Sequence, residues 1–254
     1  MLSVANLTKS YGGVHVTRDV SIDFPDGSLT AIIGPNGAGK TTFFNLVSGQ
    51  VRPDGGRIVF DGADIAGLSS LQVARRGMAR AFQVASLFPT LKVRDALTAA
   101  VTSRMRCSWQ LLSRFPLPAA RARADEIIDL MGLAHAAGTL SAILSHGDQK
   151  LLDIGLALAM EPKVLLLDEP TAGMGPDERW RMIEKVQSLW ARDRMTVLFI
   201  EHDMDIVFKI AQRIYVLKYG AVLAQGTPDE IRGNPDVIDA YLGTDHRQSA
   251  AVGA

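Results

Sequence analysis

The chain has 254 residues, of which 47% are apolar, and 27 Lys plus Arg balance 27 Asp plus Glu for a formal net charge of zero. That length suits one large domain or a core carrying an inserted subdomain, and the balance excludes a global field drawing the chain to nucleic acid or an anionic membrane. The single cysteine, Cys107, excludes an internal disulfide and suits a reducing compartment.

The five histidines are scattered without metal-ligand spacing, so no zinc site is expected. The longest apolar runs, such as Leu151–Met160 with Asp153 inside it, fall short of the roughly 20 residues of a membrane span. Met1 to Asn6 lacks a basic region followed by an apolar one, so no signal peptide is expected. The expected location is cytoplasmic, with any membrane attachment made through a partner.

In chain order, the first sixty residues read as β-rich. Runs such as Leu29–Ile33 and Arg57–Phe60 are separated by the turn pairs Gly12-Gly13, Asp26-Gly27, Gly55-Gly56 and Asp61-Gly62. A glycine-rich loop follows Ile33 and opens a helix from about Lys40. From about Leu71 to Leu144 the texture is helical, with three- and four-residue apolar spacing over Val93–Val101 and Ala119–Met131 and a break at Phe115-Pro116-Leu117-Pro118. Leu151–Met160 is apolar nearly all round, the mark of a buried helix, and Pro162 is expected to end it. Val164–Leu167 and Thr196–Ile200 are continuous apolar runs, as in parallel strands covered on both faces, with a helix from about Pro176 to Trp190 between them. Strand-like pieces at Arg213–Leu217 and Val222–Gln225 precede a Pro- and Gly-punctuated end, and Thr244–Ala254, small and polar, is expected to be disordered.

Two blocks carry chemistry. Gly34, Pro35, Asn36, Gly37, Ala38, Gly39, Lys40 and Thr41 fit the phosphate-loop pattern G-x-x-x-x-G-K-[ST] in a strand–loop–helix setting. Gly37 and Gly39 let backbone amides approach phosphate oxygens, and the helix behind them points its positive end the same way. Lys40 supplies a point charge to the β- and γ-phosphates, and the Thr41 hydroxyl can ligate Mg²⁺. The second block, Val164 to Glu169, is an apolar strand ending in two carboxylates. Asp168 is placed to hold Mg²⁺ through its water shell, and Glu169 to polarise an attacking water. Together the blocks read as a nucleotide triphosphatase.

Between them stands Leu144-Ser145-His146-Gly147-Asp148-Gln149, and here the chain resembles the ATP-binding cassette of ABC transporters. The order of the phosphate loop through Thr42, Phe82-Gln83, that hexapeptide, Val164 to Pro170 and Ile200-Glu201-His202-Asp203 carries the resemblance over about residues 2–243. It implies a P-loop α/β core with a parallel sheet, an N-terminal antiparallel β subdomain and a helical subdomain inserted at about residues 84–160. Tyr11 would stack on the adenine of ATP. Gln83 would contact Mg²⁺ and the water. His202 would hydrogen-bond the γ-phosphate, so that Glu169, His202 and Lys40 form the catalytic set. Ser145, Gly147 and Gln149 would meet the γ-phosphate of ATP held by a second cassette, which makes the site composite and the working unit a dimer, of like or unlike chains. The helical lobe, with Leu87-Phe88-Pro89 and the Trp109–Pro118 loop, would dock integral-membrane permease subunits, with a substrate-binding protein acting indirectly. No nucleic-acid partner is expected.

The chain departs from the common family pattern in two places. His146 and Asp148 stand where LSGGQ has its first Gly and its Gln, and Gly175 stands where many cassettes carry an Asp. Asp148 would repel a triphosphate if turned inward, so its side chain is expected to point away. These departures, Met204-Asp205 after the histidine and the ending Asn234 to Gly243 resemble cassettes of the branched-chain and hydrophobic amino-acid uptake group, with urea and amide importers close by. The implied function is the ATP-hydrolysing subunit of an importer. A lipid or lipopolysaccharide exporter cassette is the first alternative. A soluble ABC-type ATPase is a weaker one, since the chain has a single cassette and no basic extension.

Overall fold

Leu2 and Val4 are buried and alternate with the less buried Ser3 and Ala5 along β1 (Leu2–Tyr11), but the third buried residue of the face, Leu7, is one position late. A bulge between Val4 and Leu7 absorbs the extra residue: Asn6 takes φ 53°, and its side-chain amide donates to Asp19 of β2 (Val14–Phe24). β2 is the antiparallel partner of β1 across Gly12-Gly13, and β4 (Gly55–Phe60) with β5 (Ala63–Asp64) completes a four-stranded sheet in the order β2-β1-β4-β5. The computed structural model describes residues 2–81, 88–105 and 117–241. Gln83, Cys107, most of the Trp109–Pro118 loop and the 244–254 tail lie outside the described residues.

The second sheet has six strands in the order β10-β9-β3-β8-β7-β6. They are β3 (Leu29–Ile33), β6 (Met78–Ala81), β7 (Val164–Asp168), β8 (Thr196–Ile200), β9 (Arg213–Lys218) and β10 (Ala221–Gly226). All pair in parallel except β10, which is antiparallel to β9. Every residue of β3, β7 and β8 is buried, as their unbroken apolar runs predict. Within each strand, alternate side chains serve different cores. Ile32, Leu166, Leu198 and Ile200 pack with α1 (Lys40–Val47) and the antiparallel sheet, whereas Ile33, Leu165, Leu167 and Phe199 pack with the helices on the other face.

The long segment read as helical is interrupted. After the short helix α2 (Ser70–Arg75), Met78–Ala81 forms edge strand β6 beside β7. A four-residue strand containing an arginine carries no apolar run or alternation long enough to register as one. The helices α3 (Val93–Arg104), α4 (Pro118–Met131) and α5 (His146–Leu158) pack on one another. Gly155 allows the close approach: a Cβ there would stand 3.2 Å from Ile127 and 3.3 Å from Leu97. α5 begins at His146, five residues before the apolar run, because Ser145 caps it, and it ends at Leu158, ahead of Pro162. After it come α6 (Pro176–Asp193), α7 (Met204–Ile210) and α8 (Pro228–Arg232), and residues 235–241 are helical as well. α7 and α8 are short and are set by the caps Asp203 and Thr227 rather than by periodicity.

Candidate functional site

The C-terminal ends of β3, β7 and β8, adjacent in the sheet, deliver three loops to one edge, where open parallel sheets gather their ligands. The first loop runs from Gly34 to Gly39 into α1. Its glycines have different duties. A Cβ on Gly34 (φ 151°) would lie 2.1 Å from the Leu217 carbonyl oxygen, and one on Gly39 (φ 98°) 2.6 Å from that of Val16. Both are therefore fixed by backbone packing behind the loop. Gly37 (φ 77°) has nothing within 4 Å of its missing side chain and faces open space, where a phosphate can approach.

Lys40 is buried, and its Nζ donates to the Gly34 and Pro35 carbonyl oxygens at 2.6 and 3.1 Å. Burial pushes its pKa below the ordinary lysine value, with the charges of Glu169 and Asp168 working the other way. Thr41 follows in the first turn of α1 and is exposed.

Asp168 closes β7 with its side chain only 2% exposed, and Arg80 of β6 pairs with it, Nη2 to Oδ2, at 2.6 Å. The other arm of that guanidinium donates to Asn45 Oδ1 at 2.7 Å and Gln50 Oε1 at 3.0 Å. Sequence reading missed Arg80. Its only signal is its place two residues ahead of Phe82-Gln83, inside a stretch read as helix.

Glu169 takes φ 49°, a conformation uncommon for a non-glycine residue. It is held there from both sides: its amide donates to the Ile200 carbonyl at 3.0 Å, and its own carbonyl accepts from Lys150 Nζ at 3.1 Å. The Lys150 ammonium is itself buried, and burial pushes its pKa down against the charges of Asp153, Glu169, Glu201 and Asp168. The Glu169 carboxylate then reaches His202, Oε1 to Nε2, at 2.8 Å. A second residue that sequence reading left without a role, Glu201, is buried at the end of β8. It accepts from the Thr171 amide (2.9 Å), the Thr171 hydroxyl (2.7 Å) and the His202 amide (3.2 Å). Glu201 thereby fastens the loop after Glu169 to the strand end that carries His202.

Tyr11 ends β1 with 47% of its surface exposed, so it is not covering the core, and Lys9 Nζ lies 5.5 Å from its ring centroid. Ser145 is the N-cap of α5, its hydroxyl accepting from the Asp148 amide at 3.1 Å. The Asp148 carboxylate turns back to His135, Oδ2 to Nε2, at 3.2 Å. His146 lies against the Ala172 carbonyl, Nε2 to O, at 3.0 Å, over Gly173 (φ 80°), where a Cβ would stand 3.0 Å from that nitrogen. The imidazole that replaces a glycine of the family pattern therefore sits on Gly173 of the next loop, two residues ahead of the other departure, Gly175. Ser145, Gly147 and Asp148 border a cleft of about 270 Å³ with His135, Arg181 and Lys185, apart from the phosphate loop.

The residues fit a magnesium–triphosphate complex. The donors are hard oxygens, a hydroxyl and a carboxylate, and among the described residues there is no cluster of three His, Cys, Asp or Glu that would hold a metal without phosphate. That is what Mg²⁺ asks for, since it keeps water and takes the substrate's phosphates as ligands.

Comparison with known proteins extends this geometry. The family model described as ABC transporter matches residues 17–172, and a second, described as branched-chain amino acid ATP-binding cassette transporter, matches residues 221–247. The chain is 38% identical over 250 residues to the high-affinity branched-chain amino acid transport ATP-binding protein LivG of Salmonella typhimurium, covering 96% of this chain and 98% of that one. It is 35% identical over 243 residues to the lipopolysaccharide export system ATP-binding protein LptB of Haemophilus influenzae, covering 96% and 97%. Among solved structures, the ADP conformation of MJ1267, an ATP-binding cassette of an ABC transporter, superposes with a TM-score of 0.84 at 29% identity, over 96% of this chain and 98% of that one.

Proposed function

The chain belongs to the ABC transporter family, and from that premise we propose that it is the ATP-hydrolysing subunit of an importer for branched-chain or other hydrophobic amino acids. It binds ATP and is an ATP hydrolase coupled to transport. The observation that carries the choice of solute is the match of residues 221–247 to the branched-chain amino acid cassette model. The phosphate loop and the Asp168-Glu169 pair serve an importer and an exporter alike, and the likeness to LptB spans the same share of this chain as the likeness to LivG. The C-terminal match, whose model is described by branched-chain amino acids, supports the importer reading.

In this reading the amides around Gly37 receive the phosphates, and Lys40 leaves the Gly34 and Pro35 carbonyls to meet the γ-phosphate. Bound Mg²⁺ neutralises phosphate charge, and Thr41 and Asp168 are the described residues that would hold it; Gln83 is the further expected contact. Glu169, oriented by His202, accepts the proton of the attacking water. The phosphate-loop residues 34–42 and the Tyr11 ring hold the nucleotide. Ser145 and Gly147 lie in a separate cleft, so their part, with Gln149, is to meet nucleotide on a second cassette, and the working unit is a dimer.

Among the described residues no helix is long and apolar enough to cross a membrane. Transport therefore requires permease subunits, and the chain works on the cytoplasmic face of the membrane through them, with a substrate-binding protein delivering the solute. A groove of about 450 Å³ between β6, α3 and α5, with Leu71 and Phe88 exposed at it, offers the permease an apolar seat. The lobe expected over residues 84–160 would carry one wall of that seat through α3 and α5, within a single cassette domain of residues 2–243.

The test is leucine uptake by vesicles holding the permease, the binding protein and this chain. ATP-dependent uptake that disappears with Glu169→Gln is the expected result. Vesicles that hydrolyse ATP without moving any branched-chain amino acid would sink the choice of solute and turn attention to export.

A further inference from the structure

We propose that Arg80 is a positioning residue of the metal site: the built-in counter-cation of Asp168, which keeps that carboxylate closed to free divalent metal until nucleotide is present. This rests on the ATPase reading above. The Asp168 carboxylate is almost wholly buried, and an unpaired charge in such a place is costly. The phosphate-loop cation, Lys40, is engaged with the Gly34 and Pro35 carbonyls. Arg80 supplies the compensation at 2.6 Å, with its side chain 8% exposed.

The guanidinium is not free to swing. Its second arm is held by Asn45 and Gln50, and its Cζ lies 5.7 Å from the centre of the Phe44 ring. Asn45 and Phe44 sit on α1, the helix that begins at the phosphate loop, and Gln50 follows just after it. Arg80 thus ties the acidic end of β7 to the loop's own helix, and the planar fork holds both at once in a way an ammonium could not.

A divalent ion approaching Asp168 alone meets a fixed positive charge already on the carboxylate, and the two cations repel. A bound triphosphate would change the balance, because it would bring its own negative charges to the site. Metal binding is therefore conditional on nucleotide, and Arg80 imposes the condition.

The experiment titrates Mn²⁺, a spin-resonance probe for the Mg²⁺ site, into the full chain without nucleotide. Arg80→Gln is expected to bind Mn²⁺ at least tenfold more tightly than the wild type, Arg80→Lys to stay within about threefold of it, and Asp168→Asn in the Arg80→Gln background to abolish the gain. With saturating ATP the difference between wild type and Arg80→Gln should shrink below threefold. Equal or weaker Mn²⁺ binding by folded Arg80→Gln, with ATP binding intact, overturns the proposal and leaves the ATPase reading standing. A wild-type chain that binds no fluorescent ATP analogue overturns both. If Arg80→Gln does not fold, Gln50→Ala, which releases one exposed anchor of the same guanidinium, should tighten Mn²⁺ binding two- to threefold, and no tightening overturns the proposal.

Discussion

Nε2 of His202 stands 2.8 Å from Oε1 of Glu169, across the ends of two neighbouring strands. Neither residue is placed by its own strand alone. The Glu169 backbone is tied to Ile200 and Lys150, and Glu201 binds Thr171 on one side and the His202 amide on the other. The imidazole fixes the direction of the carboxylate, and the buried Glu201 fixes the distance between their backbones.

Glu169→Gln keeps the shape of the side chain and removes its basicity. The turnover number is expected to fall at least 100-fold, the usual reach of general-base catalysis, with ATP affinity nearly unchanged. On a sizing column with ATP the mutant should run as a dimer. His202→Ala leaves the base but lets it wander, so a loss of about tenfold to a hundredfold is expected from misorientation. A Glu169→Gln chain that still turns over ATP at the wild-type rate would remove this residue from the mechanism.

The contact of His146 with Gly173 predicts non-additive mutants. Gly173→Ala places a methyl 3.0 Å from the His146 ring nitrogen and forces a positive φ on alanine, at about 1–3 kcal/mol in all. His146→Gly in the same chain removes the clash but not the φ strain, so the double mutant should recover part of the lost melting temperature. Strict additivity in a thermal double-mutant cycle would show that the two loops are not coupled.

Legibility in the sequence followed chemistry and run length. The phosphate loop, the buried strands Leu29–Ile33, Val164–Asp168 and Thr196–Ile200, and the long helices of the lobe all announce themselves by motif, unbroken apolar stretch or period. Met78–Ala81 did not, because a short edge strand beside a longer one owes its form to pairing with β7 rather than to its own pattern. Arg80 and Glu201 were lost for a related reason. Their roles rest chiefly on contacts to residues far along the chain, Asp168, 88 positions from Arg80, and Thr171, 30 from Glu201, and no local pattern marks them. Asp148 is a different case: an outward turn was expected from charge alone, and the structure pairs its carboxylate with His135, on the cleft that Ser145 and Gly147 also line.

Asp153 predicts a pH dependence of stability. It is buried on α5, its Oδ2 has no hydrogen-bond partner, and burial pushes its pKa up to about 7, with Lys150 opposing. The folded carboxyl keeps its proton to about pH 7 and the unfolded one only to about 4. The native state therefore binds the extra proton in between, and this share of the stability is complete below about pH 4 and lost as the pH rises through 7. Asp153→Asn cannot ionise, so its advantage over the wild type should widen by about 2 kcal/mol between pH 5.5 and 8.5. Thermal melts at those two pH values should show the gap growing by roughly 4–8 °C. A constant gap would mean that Asp153 ionises as readily in the fold as out of it.

Tyr241 connects the C-terminal segment to the phosphate loop. Burial raises its hydroxyl to about 12, against the effect of a backbone hydrogen bond with Gly34. Gly34 is already held by its close fit to the Leu217 carbonyl, so the phenol is a second clamp on the first residue of the loop. Tyr241→Phe keeps the ring, which packs on the same core as α7 and α8, and deletes only the hydroxyl. The fold should survive with its melting temperature within a few degrees, since one hydrogen bond is worth about 1 kcal/mol. The loop should lose some of its preorganisation for phosphate, and ATP affinity should fall about twofold to fivefold. Isothermal titration with ATP reads this directly, and an unchanged affinity would confine Tyr241 to packing. Because the C-terminal match to the branched-chain cassette model spans this residue, a measurable loss would also mean that the matched segment reaches the nucleotide through one side chain.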